Sequence, residues 1–243
     1  MKEYHIFYAP DLPEDTQLPP DEAIHAVRVL RLREGDDICA TDGRGNLYDC
    51  TLTEATQKRC RMEVKATRRQ ERIWQGHIQV AVAPTKNIDR IEWLAEKATE
   101  IGMDTLTLLE CTNSERRVVK TERIEKILVS AMKQSHKAYK PALEGMTKFD
   151  DFIRKPFQGQ RFICHCYSDE DAGMPAVPLL TALNPEGAAQ VLIGPEGDFS
   201  IDEVRRAIRL GLQPATLGES RLRTETAALC DVHMMYLRKT HIP

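Results

Sequence analysis

The chain has 243 residues, of which 42% are hydrophobic and 29% charged, with a formal net charge of −3. That length suits one large or two modest domains, and the charge balance excludes a globally basic nucleic-acid binder while leaving room for local basic patches. No apolar run approaches the ~20 residues of a membrane span, the opening MKEYHIFYAP lacks a signal-peptide core, and cysteines at 39, 50, 60, 111, 164, 166 and 230 without a Cys-x-x-Cys pair suggest neither a disulfide framework nor a zinc finger, which predicts a reducing cytoplasm.

Residues 4–8 read as a short strand, and the proline-rich, acidic stretch from Asp11 to Pro20 as a loop. Ile24, Val27 and Leu30 recur at helical spacing, which predicts a helix over 21–33 stopped by Gly35-Asp36, with His25 and Arg28 one turn apart beside the stripe. Strands follow at about 37–41, 46–54 and 59–67, the first two joined by Asp42-Gly43-Arg44-Gly45. That tetrapeptide is a hairpin turn, since no helix follows it to supply a positive dipole to a nucleotide. Residues 1–72 therefore form a small, mostly β domain, and the composition shifts near Arg68–Gln75.

From His77 the pattern alternates. Strands are expected at 78–83, 105–109, 162–166, 191–193 and 214–217. Helices are expected at 88–101, 121–135, 201–210 and 224–237, with a weak one near 147–154. Gly102 and Gly211 stop two of them, Ser200 with Glu203 forms a capping box, and Thr224 is the expected N-cap of the last. Such alternation predicts an α/β fold with a parallel sheet covered by helices on both faces over 73–243.

Two stretches share one form: an apolar run, a glycine-containing turn, then a helix. They are Val191–Ser200 (VLIGPEGDFS) and Leu217–Ala228 (LGESRLRTETAA). In α/β folds ligands bind at the carboxyl ends of strands, so both turns are candidate ligand loops. The first has no Lys-Ser/Thr and is not a phosphate loop, and no G-x-G-x-x-G follows a strand. Glu196 would suit a hydroxyl, a backbone N–H or a cation, or would simply brace its turn. In a strand, Cys164 and Cys166 point away from His165, so these three do not converge on a metal, and none is assigned. Glu225 at a helix start complements the dipole. Arg221 and Arg223 at the rim suit phosphate or base recognition, as do Lys86 and Arg90 if they face the same rim. Residues 58–72 carry seven basic residues against two acidic, and 112–140, which include Arg116 and Lys137, carry eight against three. Each run alone is a solvated face; two of them point to a polyanionic partner.

Taken together, His25-Ala-Val-Arg28-Val-Leu-Arg31-Leu, Glu96-Lys97-Ala-Thr-Glu100-Ile-Gly102, Ile193-Gly194-Pro195-Glu196-Gly197 and Leu217-Gly218 followed by Leu222-Arg223-Thr224-Glu225-Thr226-Ala227 resemble the RsmE family of 16S ribosomal RNA uridine N3-methyltransferases, in the SPOUT superfamily. The match runs nearly end to end. The resemblance implies an N-terminal PUA-like β-barrel, a C-terminal α/β domain tied in a trefoil knot, a cytoplasmic homodimer, S-adenosylmethionine as methyl donor and 16S rRNA within the small subunit as partner. It implies a cofactor site of Ile193, Gly194, Pro195, Glu196, Gly197, Leu217, Gly218, Leu222, Arg223, Thr224 and Ala227, walled by His165 and Cys166. Arg223 or Arg221 would stabilise the uracil anion, and His25, Arg28, Arg31, Lys86, Arg90, Arg116 and Lys137 would hold RNA. The chain departs from the family pattern at Asp198, where a second glycine is usual, at Ser220-Arg221, and at the lysines of 131–137; no arginine lies in its first ten residues. A methyltransferase for another RNA and a non-catalytic RNA-binding module remain open readings.

Overall fold

A computed structural model describes residues 5–240. Its contacts divide the chain into two compact units, residues 1–72 with 129–140, and residues 73–128 with 141–243. The inclusion of 129–140 in the first unit is not visible in composition.

The first unit holds a four-stranded sheet in the order β1 (Ile6–Tyr8), β2 (Asp37–Thr41), β3 (Asn46–Ala55), β4 (Cys60–Arg69). β2 and β3 form the expected hairpin, with Thr41 opposite Leu47. Asp42 secures its turn by accepting the Arg44 and Asn46 backbone N–H groups at 2.7 and 3.2 Å. Tyr4, the first residue of the expected opening strand, lies outside the described residues. The predicted 21–33 helix is not continuous. It is a short helix α1 (Pro20–Ile24) followed by a π-helical turn, His25–Val29, and Arg31 leaves it with φ +58°. Of the expected stripe, Ile24 is exposed while Val27 and Leu30 pack partly buried against the core, which Ala23 and Ala26 enter fully. The wider turn breaks the strict 3.6-residue period on which the stripe was read.

The second unit is a seven-stranded parallel sheet in the order β7 (Ala142–Lys148), β6 (Thr105–Glu110), β5 (His77–Val82), β10 (Ala188–Ile193), β8 (Gly159–Cys164), β11 (Gln213–Thr216), β9 (Val177–Pro178). Alternate residues enter two cores. Val80, Val82, Phe162, Val191 and Ile193 pack with α2 (Asp89–Ile101) and α8 (Thr224–Lys239). Ala81, Ile163 and Leu192 pack on the other side with α4 (Phe149–Arg154) and α7 (Ile201–Arg209). Burial on both faces is why these strands read as unbroken apolar runs. α3 (Thr121–Gln134) places Ile124 and Leu128 in the first core.

Three short elements and one strand escaped the sequence reading: α5 (Asp169–Ala172), β9, α6 (Leu179–Ala182) and β7. β7 is an edge strand with no fully buried residue and a central Gly145, so it lacks both alternation and an apolar run. The strand expected at 162–166 runs from Gly159 to Cys164, which puts His165 and Cys166 in the following loop. Strand alternation therefore does not separate these side chains. Among the described residues no group of three or more His, Cys, Asp or Glu could hold a metal, and no helix is long and apolar enough to cross a membrane.

A polar ladder crosses five strands. Arg161 Nε donates to Gln190 Oε1 at 2.9 Å, Gln190 Nε2 to Gln79 Oε1 at 2.9 Å, and Gln79 Nε2 to the Thr107 hydroxyl at 2.9 Å, which donates to Glu144 at 2.8 Å. Gln190, Gln79 and Thr107 are buried. Gln190→Leu would leave the Gln79 side-chain oxygen and Arg161 Nε without partners, while Arg161 Nη1 keeps the Ile153 carbonyl, and is expected to cost about 2 kcal/mol in urea unfolding.

Asp231 on α8 is fully buried, and neither carboxylate oxygen has a hydrogen-bond partner among the described residues. Burial pushes its pKa well above the usual carboxylate range. A raised pKa means that the folded chain keeps a proton that the unfolded chain releases, so stability falls as pH rises above the ordinary Asp value. Asp231→Asn is expected to raise the melting temperature at pH 8, with the gain shrinking as the pH is lowered towards 4; melting curves at both pH values check this.

Candidate cofactor cavity and rim

Strands β10, β8 and β11 are neighbours, and their ends are level: Ile193 is paired with Cys164, and Cys164 with Ala215. These three residues line a cavity of about 840 Å³, enclosed above by the loops that leave the same strands and by the start of α8. The site thus sits at carboxyl ends of parallel strands, as expected for an α/β sheet.

The β10 loop contributes Gly194 to Asp198. A Cβ on Gly194 would lie 2.9 Å from the Phe199 backbone nitrogen, so only glycine lets the loop double back. Ser200 and Glu203 then form the predicted capping box that opens α7. Glu196 Oε1 accepts the Lys86 N–H at 3.0 Å, so it braces a neighbouring loop, rather than its own turn, while standing in the cavity wall.

The β11 loop runs from Leu217 to Arg223, and Gly218 turns it with φ +119°, a conformation suited to glycine. Arg223, not Thr224, is the N-cap of α8, and it makes no side-chain capping bond. Thr224 is the first helical residue, and with Ala227 it lines the cavity. The start of α8 therefore faces the space with its positive dipole end.

The β8 loop supplies His165 and Cys166. His165 Nδ1 accepts the Tyr167 N–H at 3.2 Å. That bond places the ring proton on Nε2, which is buried without a partner among the described residues. Burial lowers the His165 pKa and so favours the neutral ring. Burial, together with the nearby Asp198 carboxylate, raises the Cys166 pKa, and Cys164 is raised further by burial. Both thiols stay protonated at neutral pH, which does not suit them as nucleophiles.

Every residue expected around the cofactor therefore lines one cavity, as do Arg221 and Arg90. Cys164, Asp198, Ala215, Thr216, Glu219 and Ser220 join them. The two turn motifs bracket all of these except Cys164, Ala215 and Thr216, whose positions at strand ends could have been read from the strand boundaries. Arg90 Nη1 lies 3.7 Å from Glu225 Oε1. Glu225 is buried, so it is more than a dipole complement.

The expected RNA-binding residues fall in both units. Lys86 is exposed and pairs with Glu115 at 3.1 Å. Arg116 is spent on structure, its guanidinium donating to the carbonyls of Thr85 and Lys86. In the first unit, His25 packs edge-on against Phe7, Arg28 and Arg31 are exposed, and Lys137 is half-buried. Many cations of the two basic runs are already in ion pairs, among them Lys65 with Glu63, Arg68 with Asp49, Arg117 with Glu110 and Arg123 with Glu92.

The cavity fits an adenosine-bearing methyl donor on physical grounds. Its volume lies in the ordinary range for cofactor pockets. Its floor is apolar, and backbone groups of two glycine turns and one helix start line its walls.

The RNA methyltransferase domain family matches residues 72–235, and the RNA methyltransferase PUA domain family matches residues 18–65. The ribosomal RNA small subunit methyltransferase E of Bacillus subtilis is 25% identical over 217 residues, covering 86% of this chain and 84% of its own. That of Rickettsia conorii is 23% identical over 245 residues, covering 99% and 98%. A crystal structure of a probable rRNA methyltransferase from Porphyromonas gingivalis shares 40% identity with a TM-score of 0.89, covering 96% of this chain and 98% of that one. The small subunit methyltransferase E of Neisseria gonorrhoeae, solved bound to S-adenosyl methionine, has the same fold at 24% identity, with a TM-score of 0.85 and coverage of 99% and 100%. With the match spanning both units and the site loops in place, the chain belongs to the RNA methyltransferase family and, within it, to the ribosomal RNA small subunit methyltransferase E (RsmE) group.

Proposed function

We propose that the protein methylates N3 of a uridine in 16S rRNA of the small ribosomal subunit, using S-adenosylmethionine, as a homodimer in the cytoplasm. The observation that carries this reading is the single cavity built from both glycine turns at the level ends of β8, β10 and β11. Relatives named for small-subunit rRNA methylation, and the neighbour bound to the methyl donor, support it.

When bound, S-adenosylmethionine supplies an electrophilic methyl group on a sulfonium. The chain must do the rest. Uridine N3 lies on the Watson–Crick edge and carries a proton, so the target base has to be unpaired and turned out of its stack. Loss of that proton leaves negative charge on the uracil, spread onto O2 and O4. Arg221 and Arg223, exposed at the cavity rim, are placed to stabilise that anion. Both site thiols stay protonated and His165 Nε2 is buried, so none of these three groups stands out as a general base, and solvent can take the proton. The exposed Arg28 and Arg31, with other exposed cations of the basic runs, grip phosphates.

Primer extension on 16S rRNA, with and without the protein, tests the reaction, because an N3-methylated uridine stops the polymerase. A stop that depends on the protein is expected. A methyl group lost from transfer RNA instead, in a strain lacking the protein, would move the substrate to another RNA. Arg221→Ala and Arg223→Ala are each expected to lower kcat on unmodified small subunits by about a hundredfold, and full kcat in both would remove the anion-stabilising role. Arg28→Ala with Arg31→Ala should weaken RNA binding and flatten its salt dependence, by roughly 0.7 in log–log slope for each phosphate left without its arginine. Sedimentation velocity is expected to give a dimer.

A further inference from the structure

One acidic side chain in the cavity wall is not used by the methyl-transfer reading. Asp198 has φ +63°, in the left-handed region that glycine enters freely and that Asp tolerates better than most residues. That backbone would equally take a glycine. It does not explain why a carboxylate stands here.

The hydrogen bonds do. Asp198 Oδ2 accepts the Cys166 N–H at 2.8 Å, so the β10 loop is tied to the β8 loop. Oδ1 accepts the Phe199 N–H at 2.7 Å. The Asp198 carbonyl accepts from Asn113 Nδ2 at 3.1 Å, which brings in the loop after β6. Its own N–H closes the turn on the Pro195 carbonyl at 2.9 Å. Next to it, the Tyr167 hydroxyl donates to the Phe199 carbonyl at 2.8 Å, a second tie between the β8 and β10 loops. Three strand-end loops thus meet at one residue, and both Asp198 and Cys166 line the cavity. A glycine would adopt the same backbone without strain, but it would leave the Cys166 N–H with no acceptor from this loop.

We propose that Asp198 is a positioning residue that holds the β8 and β10 loops at the separation required by the methyl donor. The role rests on the cofactor reading of the cavity. A carboxylate accepting two backbone N–H groups makes short, charge-assisted bonds, stronger than neutral ones. They fix the wall before the ligand arrives and so lower the ordering cost of binding.

The test is calorimetric titration of S-adenosylmethionine into the wild-type chain, Asp198→Gly and Asp198→Asn, with melting curves and hydrogen exchange on the same proteins. Asp198→Gly keeps the backbone and removes both side-chain bonds. It is expected to raise Kd about tenfold, the size of one lost hydrogen bond to a charged group. The KM for the donor should rise in the same ratio, with kcat at saturating donor held and the Cys166 amide exchanging faster. Asp198→Asn retains one acceptor oxygen and is expected to fall between glycine and wild type. An Asp198→Gly protein with wild-type Kd overturns the proposal, whatever its melting temperature, as does a lower melting temperature in both variants with unchanged Kd. A wild-type chain that gives no binding heat overturns the cofactor reading as well, and that result is read before any variant is made.

Discussion

Register in the parallel sheet is the constraint on which everything else rests. Strands buried on both faces are apolar at most positions, so a slip of one residue mostly exchanges one apolar side chain for another and burial penalises it weakly. The polar ladder from Arg161 through Gln190, Gln79 and Thr107 to Glu144 supplies the missing discrimination. A slipped strand would bury two or more of these groups without partners, each costing on the order of 1–3 kcal/mol. With register fixed on the entering side, Ile193 and Cys164 come level on the other, and the pairing of β11 with β8 sets Ala215 beside them. The cavity floor is a consequence of that alignment.

Above the floor, the loops are shaped by backbone conformation more than by side-chain packing. Gly194 admits the close return of Phe199, and Gly218 takes a positive φ. The acids there act chiefly as acceptors for backbone N–H groups. Glu196 takes the Lys86 N–H, Asp198 takes two, and Glu203 serves both the Ser200 N–H and the Thr112 N–H at 2.8 Å. Carboxylates in this role stiffen loops without burying a free charge. The arginines are then left exposed at the rim.

The first unit departs from regular helix where its motif arginines stand. The π-helical turn at His25–Val29 and the left-handed Arg31 carry the residues of the HAVRVLR motif. π-turns and positive φ at a bulky residue cost free energy and persist where the surroundings hold them. Here Ala23 and Ala26 anchor the segment in the core while Arg28 and Arg31 stand in solvent.

Much of this was legible in the sequence because it depends on local chemistry. Strand–helix alternation, the Ser200–Glu203 capping box, the Gly102 stop and the Asp42–Gly45 hairpin each follow from a few adjacent residues. So did the candidate loops, since a broken apolar run followed by a helix start marks a strand end. What the sequence could not decide was long-range or marginal. β7 is an edge strand without a pattern, 129–140 join the first unit by contacts far along the chain, and the 21–33 stripe fits a helix until the turn widens. Arg116 looks like any rim cation until its guanidinium is found on the Thr85 and Lys86 carbonyls. Asp198 is the clearest case. By sequence it is only a departure from a glycine pattern, because its meaning lies in the N–H of Cys166, thirty-two positions away in the chain. Residue types and their spacing determined which loops could form the site; the register of three strands decided that those loops share one cavity, because only pairing across the sheet brings their ends to the same level.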